Sequence, residues 1–303
     1  MASLDWSRDK AGWPHAQASR FVDAAGWRWH VQHLRPAHTR SAGYVLLLHG
    51  TGASAHSFRQ LAPLLAQRFD VLVPDLPGHA FTRATSARSV TLPAVAEAVA
   101  ALLRALQAQP AAIVGHSAGA AIGAQMCLAD LATPRQLVSI NGALLPLQGL
   151  VQQWFSPLAK WLVVNPLVPH LFAWQAAQPA VVRKLLASTG SQIDDEGAAL
   201  YGRLVADPRH AAGALRLMAS WHLAPLAAAL PRLLVPLTLL VGSRDGTVPP
   251  AQAQQVQQRL PQAQCVWLEG LGHLAHEEDP ARVLAALPLA PADLEARRPA
   301  RRA

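Results

Sequence analysis

Cysteine is scarce in this chain, with two residues, Cys127 and Cys265, among 303. One falls in an expected helix and the other in an expected strand, and they form no motif. That excludes a disulfide framework and leaves two buried free thiols in a reducing cytoplasm as the reading. Long apolar runs are missing too, since none reaches the roughly 20 residues that span a bilayer. The N-terminus, "MASLDWSRDK", carries charges and no apolar segment, so no signal peptide is expected and the chain is read as cytoplasmic. Charge is modest at 15% of residues against 51% hydrophobic, a balance that excludes extensive disorder. The net charge of +8 comes from 26 basic and 18 acidic residues, and nearly all the basic ones are arginine. Neither a basic stripe nor a nucleic-acid reading motif accompanies it, so no nucleic-acid partner is expected. The one basic cluster, "EARRPARRA" at 295–303, reads as a solvated, frayed end, with peripheral contact to anionic lipid as the alternative.

What is present is an alternation of strands and helices. "SRFVDAAGWRWHVQHL" (19–34) predicts a hairpin turning at Ala25 and Gly26. "YVLLLHG" (44–50) is a continuous apolar run ended by glycine, as in a strand buried on both faces. A helix near 58–67, a strand at 69–75 and a helix at 92–107 follow. Then come a strand at 111–115, a helix at 118–129 and a strand at 136–142. After a gap, a strand at 237–243, a helix around 252–260, a strand at 264–270 and a last helix resume the pattern. Such alternation implies a mostly parallel central sheet with helices on both faces. Between 142 and about 231 the alternation stops; the segment reads as helical, is interrupted by prolines and carries four of the nine tryptophans. From 142 to 182 its only formally charged side chain is Lys160. A stretch this apolar must bury itself, and it is read as a lid inserted into the sheet domain.

The chemistry starts at "IVGHSAGAAIGAQ" (113–125), where Ser117 stands between Gly115 and Gly119 as a buried strand becomes a helix. A serine there can be an ordinary N-cap or a nucleophile on a strained elbow, whose close helix–strand approach needs small neighbours. The rest of the chain decides between them. Asp245, in "VGSRDGTVPP", follows a strand, where this architecture places its functional carboxylates; a turn-forming Asp-Gly is its bland reading, and Glu269 is its rival. His273, in "LEGLGHLAHEEDP", follows the last strand and is favoured over His276, which is read as a structural helix residue. No H-E-x-x-H pattern or cysteine cluster accompanies the two histidines, so neither a metal nor another cofactor is expected. The order Ser117, Asp245, His273 is that of an α/β-hydrolase triad. "HGTG" (49–52) supplies an oxyanion loop, with the backbone N–H groups of Thr51 and Ala118 as donors. His49 is read as holding that loop, His116 as packing beside the elbow, and Asp75 as shaping a turn outside the triad.

Taken together, "LLLHGTGAS", "VPDLPGHAFT", "VGHSAGAAI", "SINGALLPL", "STGSQID", "LYGRL" and "GLGHLAHEE" resemble the BchO-type magnesium-chelatase accessory branch of the α/β-hydrolase superfamily. The likeness runs over nearly the whole chain. It departs at Ala80, where such proteins commonly carry a second glycine after "PGH", so that an alanine tests the backbone angles of the turn. The expected fold class is therefore α/β, an α/β-hydrolase fold with an inserted helical lid. Its parts are a first core segment at 1–143, the lid at 144–231, a second core segment at 232–289 and the basic tail at 290–303. The resemblance implies a cytoplasmic protein of bacteriochlorophyll biosynthesis, with magnesium-chelatase subunits as partners and no established reaction. Two functions follow as expectations. One is a serine hydrolase acting on an ester or other acyl bond of a bulky apolar or porphyrin-like molecule. The other is a non-catalytic porphyrin-binding or chelatase-assisting protein on the same scaffold. For either, Trp154, Phe155, Trp161, Phe172 and Trp174 are the expected pocket lining, with Arg183 or Arg216 meeting ligand carboxylates.

Overall fold

In the computed structural model, which describes residues 3–86, 88–146 and 178–289, a short helix and two 3-10 turns lead into a hairpin, and the chain continues as alternating strands and helices. The hairpin pairs β1 (Ser19–Ala24) with β2 (Trp27–Leu34) around Ala25 and Gly26, both at positive φ, as a two-residue primed turn requires. Next come β3 (Tyr44–Leu48), β4 (Asp70–Pro74), the two-residue β5 (Arg83–Ala84), β6 (Pro110–His116), β7 (Gln136–Ile140), β8 (Leu237–Gly242) and β9 (Gln264–Leu268). They form one sheet in the order β1-β2-β4-β3-β6-β7-β8-β9, with β5 beside β2. Strand β2 is antiparallel to its neighbours, and each pairing from β4 across to β9 is parallel.

The unbroken apolar runs resolve into two interleaved faces. Leu46, Leu48, Ile113, Leu137 and Leu239 belong to one apolar cluster, whereas Val45, Leu47, Val114, Val138 and Leu240 belong to another. Alternate residues of each strand thus feed opposite cores, which is why these strands show no polar alternation. Helices α1 (Trp6–Asp9), α2 (Leu61–Leu65), α3 (Leu92–Ala105) and α4 (Ala118–Leu128) precede or interleave with the strands up to β7. Helices α3 and α4 cover the first face and α2 the second. Between β7 and β8 lie α5 (Pro179–Ser188), α6 (Asp195–Val205), α7 (Pro208–Ala219) and α8 (Ala224–Ala229). Val182, Leu186, Leu200, Tyr201 and Leu204 of this insertion form a third cluster with Trp13, Phe81 and Leu274. The chain closes with α9 (Ala251–Arg259), α10 (Ala275–Glu278) and α11 (Pro280–Ala286). The five aromatic residues expected to line the lid, and the tail at 290–303, lie outside the described residues.

Three local expectations are corrected. The helix expected at 58–67 is a 3-10 turn (Ala55–Phe58) followed by the short α2, because Ser54 Oγ and Asp75 take the amides of His56 and Ala55 and turn the chain early. The single last helix is two, α10 and α11, because Pro280 has no N–H to continue a helix and Asp279 before it, at φ −144° and ψ 79°, leaves the helical region. Of the two free thiols only Cys127 is buried; Cys265 is half-buried on the edge strand β9.

Helix α4 lies against the sheet at backbone distance. A Cβ at Gly119 would stand 2.0 Å from the Leu48 carbonyl oxygen, and one at Gly115 would stand 2.4 Å from the Ala120 nitrogen. At Gly123, one turn on, a Cβ would meet only the side-chain methyls of Leu137 and Ile113, at 2.9 and 3.0 Å. Asp75, at the end of β4, fixes the loops on the same side of the sheet. Its Oδ1 accepts the Ala55 N–H at 2.8 Å, and its Oδ2 accepts the Phe81 N–H at 3.1 Å and faces His30 Nδ1 at 2.8 Å. Burial alone would raise this carboxyl, but the charge and hydrogen bond of His30, with His49 and the Ala55 amide, bring it down to about 2.

Gly119→Ala should cost about 3 kcal/mol, because backbone cannot yield as a side chain can. Gly123→Ala should change stability by less than about 1.5 kcal/mol, the helix propensity of alanine offsetting the crowding. Urea midpoints of the two variants check this, and equal losses would contradict it. The Asp75 carboxyl sits below its usual value of 3.8, so its contribution is present above about pH 4 and is lost as pH falls through about 2. Asp75→Asn should therefore be less stable than wild type by about 2 kcal/mol near neutral pH. In urea titrations between pH 7 and 2 the gap should close at the acid end; a gap independent of pH would refute the assignment.

Candidate active site

Ser117 lies where β6 ends and α4 begins, at the middle of the parallel part of the sheet. It occupies the N-cap position, yet its side chain makes no capping bond, and its backbone sits at φ 51° and ψ −116°. That conformation costs on the order of 1–3 kcal/mol and persists only where surrounding bonds impose it. Here they do: the Ser117 N–H donates to the Ile140 carbonyl at 3.0 Å, and its carbonyl accepts the amides of Ala120 and Ala143, both at 3.1 Å. The residue is left half-exposed, and among the described residues its hydroxyl caps no backbone amide.

His273 and Asp245 are brought together from the loops after β9 and β8. His273 Nδ1 stands 2.8 Å from Asp245 Oδ2, with both residues buried. Asp245 Oδ1 at the same time accepts the N–H groups of Thr247 at 2.7 Å and Val248 at 2.9 Å. The turn-forming and histidine-facing uses of this aspartate therefore coexist in one carboxylate. Because a carboxylate only accepts, Nδ1 carries the hydrogen and the lone pair of a neutral ring falls on Nε2. Glu269 is exposed on the turn after β9, and its backbone carbonyl accepts the Arg282 guanidinium at 2.7 Å.

The neighbouring histidines are packed and neutral. His116 donates from Nε2 to the His273 carbonyl at 2.9 Å, and its ring lies 4.7 Å from that of His273. Burial, reinforced by the nearby His276 and His273, pushes His116 well below the usual histidine range. Burial likewise brings His276 down to about 3. Among the described residues His276 has no hydrogen-bond partner for either ring nitrogen, and it packs against Phe58 and His116.

The loop after β3 closes over the elbow. A Cβ at Gly50 would stand 3.0 Å from the Ser117 Cβ, so the loop backbone lies directly against the serine. His49 donates from Nδ1 to the Gly50 carbonyl at 2.8 Å and accepts the Leu76 N–H at Nε2, also at 2.8 Å. Among the described residues neither the Thr51 nor the Ala118 N–H donates to another group. Two unspent amides, one in the loop packed against the serine and one in the residue after it, can receive an oxygen that gains negative charge.

Several supporting residues were not singled out in the sequence. Asn141, at positive φ after β7, donates from Nδ2 to the carbonyls of Gly272 (2.8 Å) and His273 (2.9 Å), while its Oδ1 accepts the Gly242 N–H at 2.7 Å. The segment "STGSQID" joins the two loops from the insertion side. The Thr189 carbonyl accepts the amides of Gly246 at 3.0 Å and His273 at 3.2 Å, and Ser191 Oγ accepts the Leu274 N–H at 2.8 Å. Further along it, Asp194 pairs with Arg59 at 2.5 Å; Arg59 also pairs with the buried Glu277, which accepts the Tyr201 hydroxyl at 2.8 Å. The sequence signal for Asn141 was its place after a buried strand, where a polar side chain reaches the site; nothing local marked Thr189 or Ser191. Arg183, expected to meet a ligand, is exposed and pairs with Asp195 at 3.0 Å, and Arg216 is exposed on α7.

Comparison with known proteins agrees with this geometry at the level of fold. The model of the α/β hydrolase fold family matches residues 43–280. The magnesium-chelatase 30 kDa subunit of Rhodobacter capsulatus is 40% identical over 267 residues, 88% of this chain and 92% of that protein. Among solved structures, an α/β hydrolase fold protein from Burkholderia ambifaria superposes with a TM-score of 0.70 at 21% identity, covering 88% of this chain and 98% of the other. A thermophilic esterase from Thermogutta terrifontis does so with a TM-score of 0.67 at 20% identity, covering 88% and 96%. The chain belongs to the α/β-hydrolase fold family, in the branch that contains the magnesium-chelatase 30 kDa subunit.

Proposed function

We propose that the protein is a serine hydrolase with Ser117, Asp245 and His273 as its catalytic residues, serving as an accessory to magnesium chelation in bacteriochlorophyll biosynthesis. The observation that carries the catalytic part is the 2.8 Å contact of His273 Nδ1 with Asp245, set beside a serine whose strained backbone leaves its hydroxyl unused as a cap. In this reading His273 Nε2 takes the proton as Ser117 Oγ attacks an acyl carbon. The Thr51 and Ala118 amides receive the oxygen that becomes negative. Collapse expels the leaving group, which takes the proton from His273, and water then releases the acyl group by the same steps in reverse roles. Asp245 orients the ring and stabilises its charged form without itself becoming protonated.

The pathway part rests on the relative that bears the name magnesium-chelatase 30 kDa subunit. It brings chelatase subunits as partners, a cytoplasmic location and a porphyrin-like ligand into the reading. The same likeness favours a second reading, a protein that holds a porphyrin without cleaving a bond, because a name tied to chelation states no hydrolysis. In both readings Trp154, Phe155, Trp161, Phe172 and Trp174 supply flat apolar contacts. Arg183 would have to leave the exposed Asp195 to meet a propionate, a small cost for a surface pair.

Three measurements test these readings: labelling and turnover separate them, and porphyrin binding tests what they share. A fluorophosphonate probe should label wild type and not Ser117→Ala. Asp245→Asn should lower ester turnover by about 10⁴-fold, as expected when the wrong tautomer is held, while Glu269→Gln leaves it unchanged. Equal labelling of Ser117→Ala, or a loss confined to Glu269→Gln, overturns the triad. Protoporphyrin IX or its magnesium complex should quench tryptophan fluorescence saturably, and more weakly after Trp154→Ala or Trp174→Ala. Absence of binding, or equal binding by both variants, removes the porphyrin from the reading.

A further inference from the structure

The turn that carries Thr51 is held at both ends by histidines, and one of them comes from the insertion. Residues 50–53 form a tight turn closed by the Ala53 N–H on the Gly50 carbonyl at 3.2 Å, with Gly52 at φ +79°. His49 anchors its start through the Gly50 carbonyl. Its end is anchored by His210 on α7, whose Nε2 faces the Gly52 carbonyl at 3.1 Å. The other nitrogen of His210 is equally committed, since Nδ1 receives the Ala80 N–H at 3.0 Å. A carbonyl only accepts and an amide N–H only donates, so this ring has one compatible state, neutral with its hydrogen on Nε2.

The helix gives that ring little freedom. One turn beyond His210, a Cβ at Gly213 would stand 2.0 Å from the Gly78 carbonyl, so α7 rests backbone to backbone on the turn that contains Ala80. Ala80 itself has φ 40°, and His210 takes the amide of this strained residue. The ring is buried and packs against His79 at 5.2 Å. Burial brings it down to about 4, which keeps the neutral form at physiological pH.

We propose that His210 is a positioning residue for the oxyanion loop: the Thr51 N–H shares its peptide plane with the Gly50 carbonyl held by His49 and the Ala53 N–H, and by fixing the Gly52 carbonyl at the far end of the same turn His210 keeps that plane in place, and so ties the insertion to transition-state stabilisation. The proposal rests on the hydrolase reading above for its consequence in rate, but its structural content stands on the turn alone. It distinguishes the two bonds of one ring, and two substitutions separate them. A glutamine amide reaches where Nε2 lies and keeps a donor for Gly52, whereas an asparagine reaches where Nδ1 lies and keeps only an acceptor for Ala80.

The test measures p-nitrophenyl butyrate turnover and hydrogen–deuterium exchange over residues 50–55 in wild type, His210→Gln and His210→Asn. His210→Asn should lower kcat by about 10- to 100-fold, short of the loss expected for deleting an oxyanion donor. KM should stay within about twofold, as expected when an interaction is made only in the transition state. Exchange in the loop should rise in the same variant, while His210→Gln keeps both near wild type. Equal kcat in all three proteins, or equal losses in both variants with unchanged loop exchange, overturns the proposal. If wild type neither turns over the ester nor reacts with a fluorophosphonate, the hydrolase reading has failed, and loop exchange alone decides whether His210 positions the turn. Should His210→Asn not fold, the ring nitrogens of wild type decide by ¹⁵N NMR near pH 7. Hydrogen on Nε2 of His210 supports the assignment and hydrogen on Nδ1 overturns it.

Discussion

The close approach of α4 to β3 and β6 governs the geometry of the site. With 2.0 Å between a Cβ at Gly119 and the Leu48 carbonyl, only glycine lets the helix start so near the sheet. That approach bends the chain so sharply at Ser117 that its backbone leaves the ordinary regions. It also presses the Gly50 loop against the serine, so the Ser117 side chain and the loop after β3 are placed by one packing constraint. The strain is held by three backbone hydrogen bonds to Ile140, Ala120 and Ala143, all within the sheet or the elbow itself.

A hydrogen-bonded serine, histidine and carboxylate are not by themselves a reactive group, and this molecule contains the counterexample. Ser19 Oγ lies 2.9 Å from His30 Nε2, and His30 Nδ1 lies 2.8 Å from Asp75 Oδ2. The atoms are linked as in a triad, yet Ser19 starts an ordinary extended strand, and both nitrogens of the fully buried His30 are committed. Asp75 is further committed to two loop amides. At the other site Ser117 is strained and half-exposed, and the loop beside it holds unspent amides. The difference lies in what is left free: the first set holds loops in place, and the second keeps its groups available.

The insertion does more than cover the sheet. Through Thr189 and Ser191 it binds the turns that carry Asp245 and His273 to each other. Through Asp194 and Tyr201 it reaches the Arg59–Glu277 pair behind the histidine loop. Removing one partner from such a buried pair leaves the other charge without compensation, which costs more than the pair contributes. The geometry of the candidate site is thus shared between two distant parts of the chain, so the helices after β7 cannot be treated as a detachable cap.

Much of this was legible without coordinates, and the boundary is physical. Buried parallel strands must be apolar on both faces, so the runs at Tyr44–Leu48 and Pro110–His116 announced a covered parallel sheet and its order of elements. An elbow serine needs small neighbours, and a carboxylate and a histidine after successive strands fall at the same sheet edge, so Ser117 and His273 could be named as candidates from spacing, with Asp245 and Glu269 as rival carboxylates. Asn141, Thr189, Ser191 and His210 could not. They act through one to three hydrogen bonds each to backbone groups that lie up to 158 residues away in the chain, as between His210 and Gly52. Contacts of that kind leave no periodicity and no local motif. The sequence by itself determined the layers, the succession of strands and helices and the candidate residue types, because these follow from hydrophobic pattern and local backbone sterics. Only the tertiary structure decided which carboxylate faces His273, which histidines are spent on the loops, and that the insertion braces the site, because those depend on where distant backbone amides and carbonyls meet.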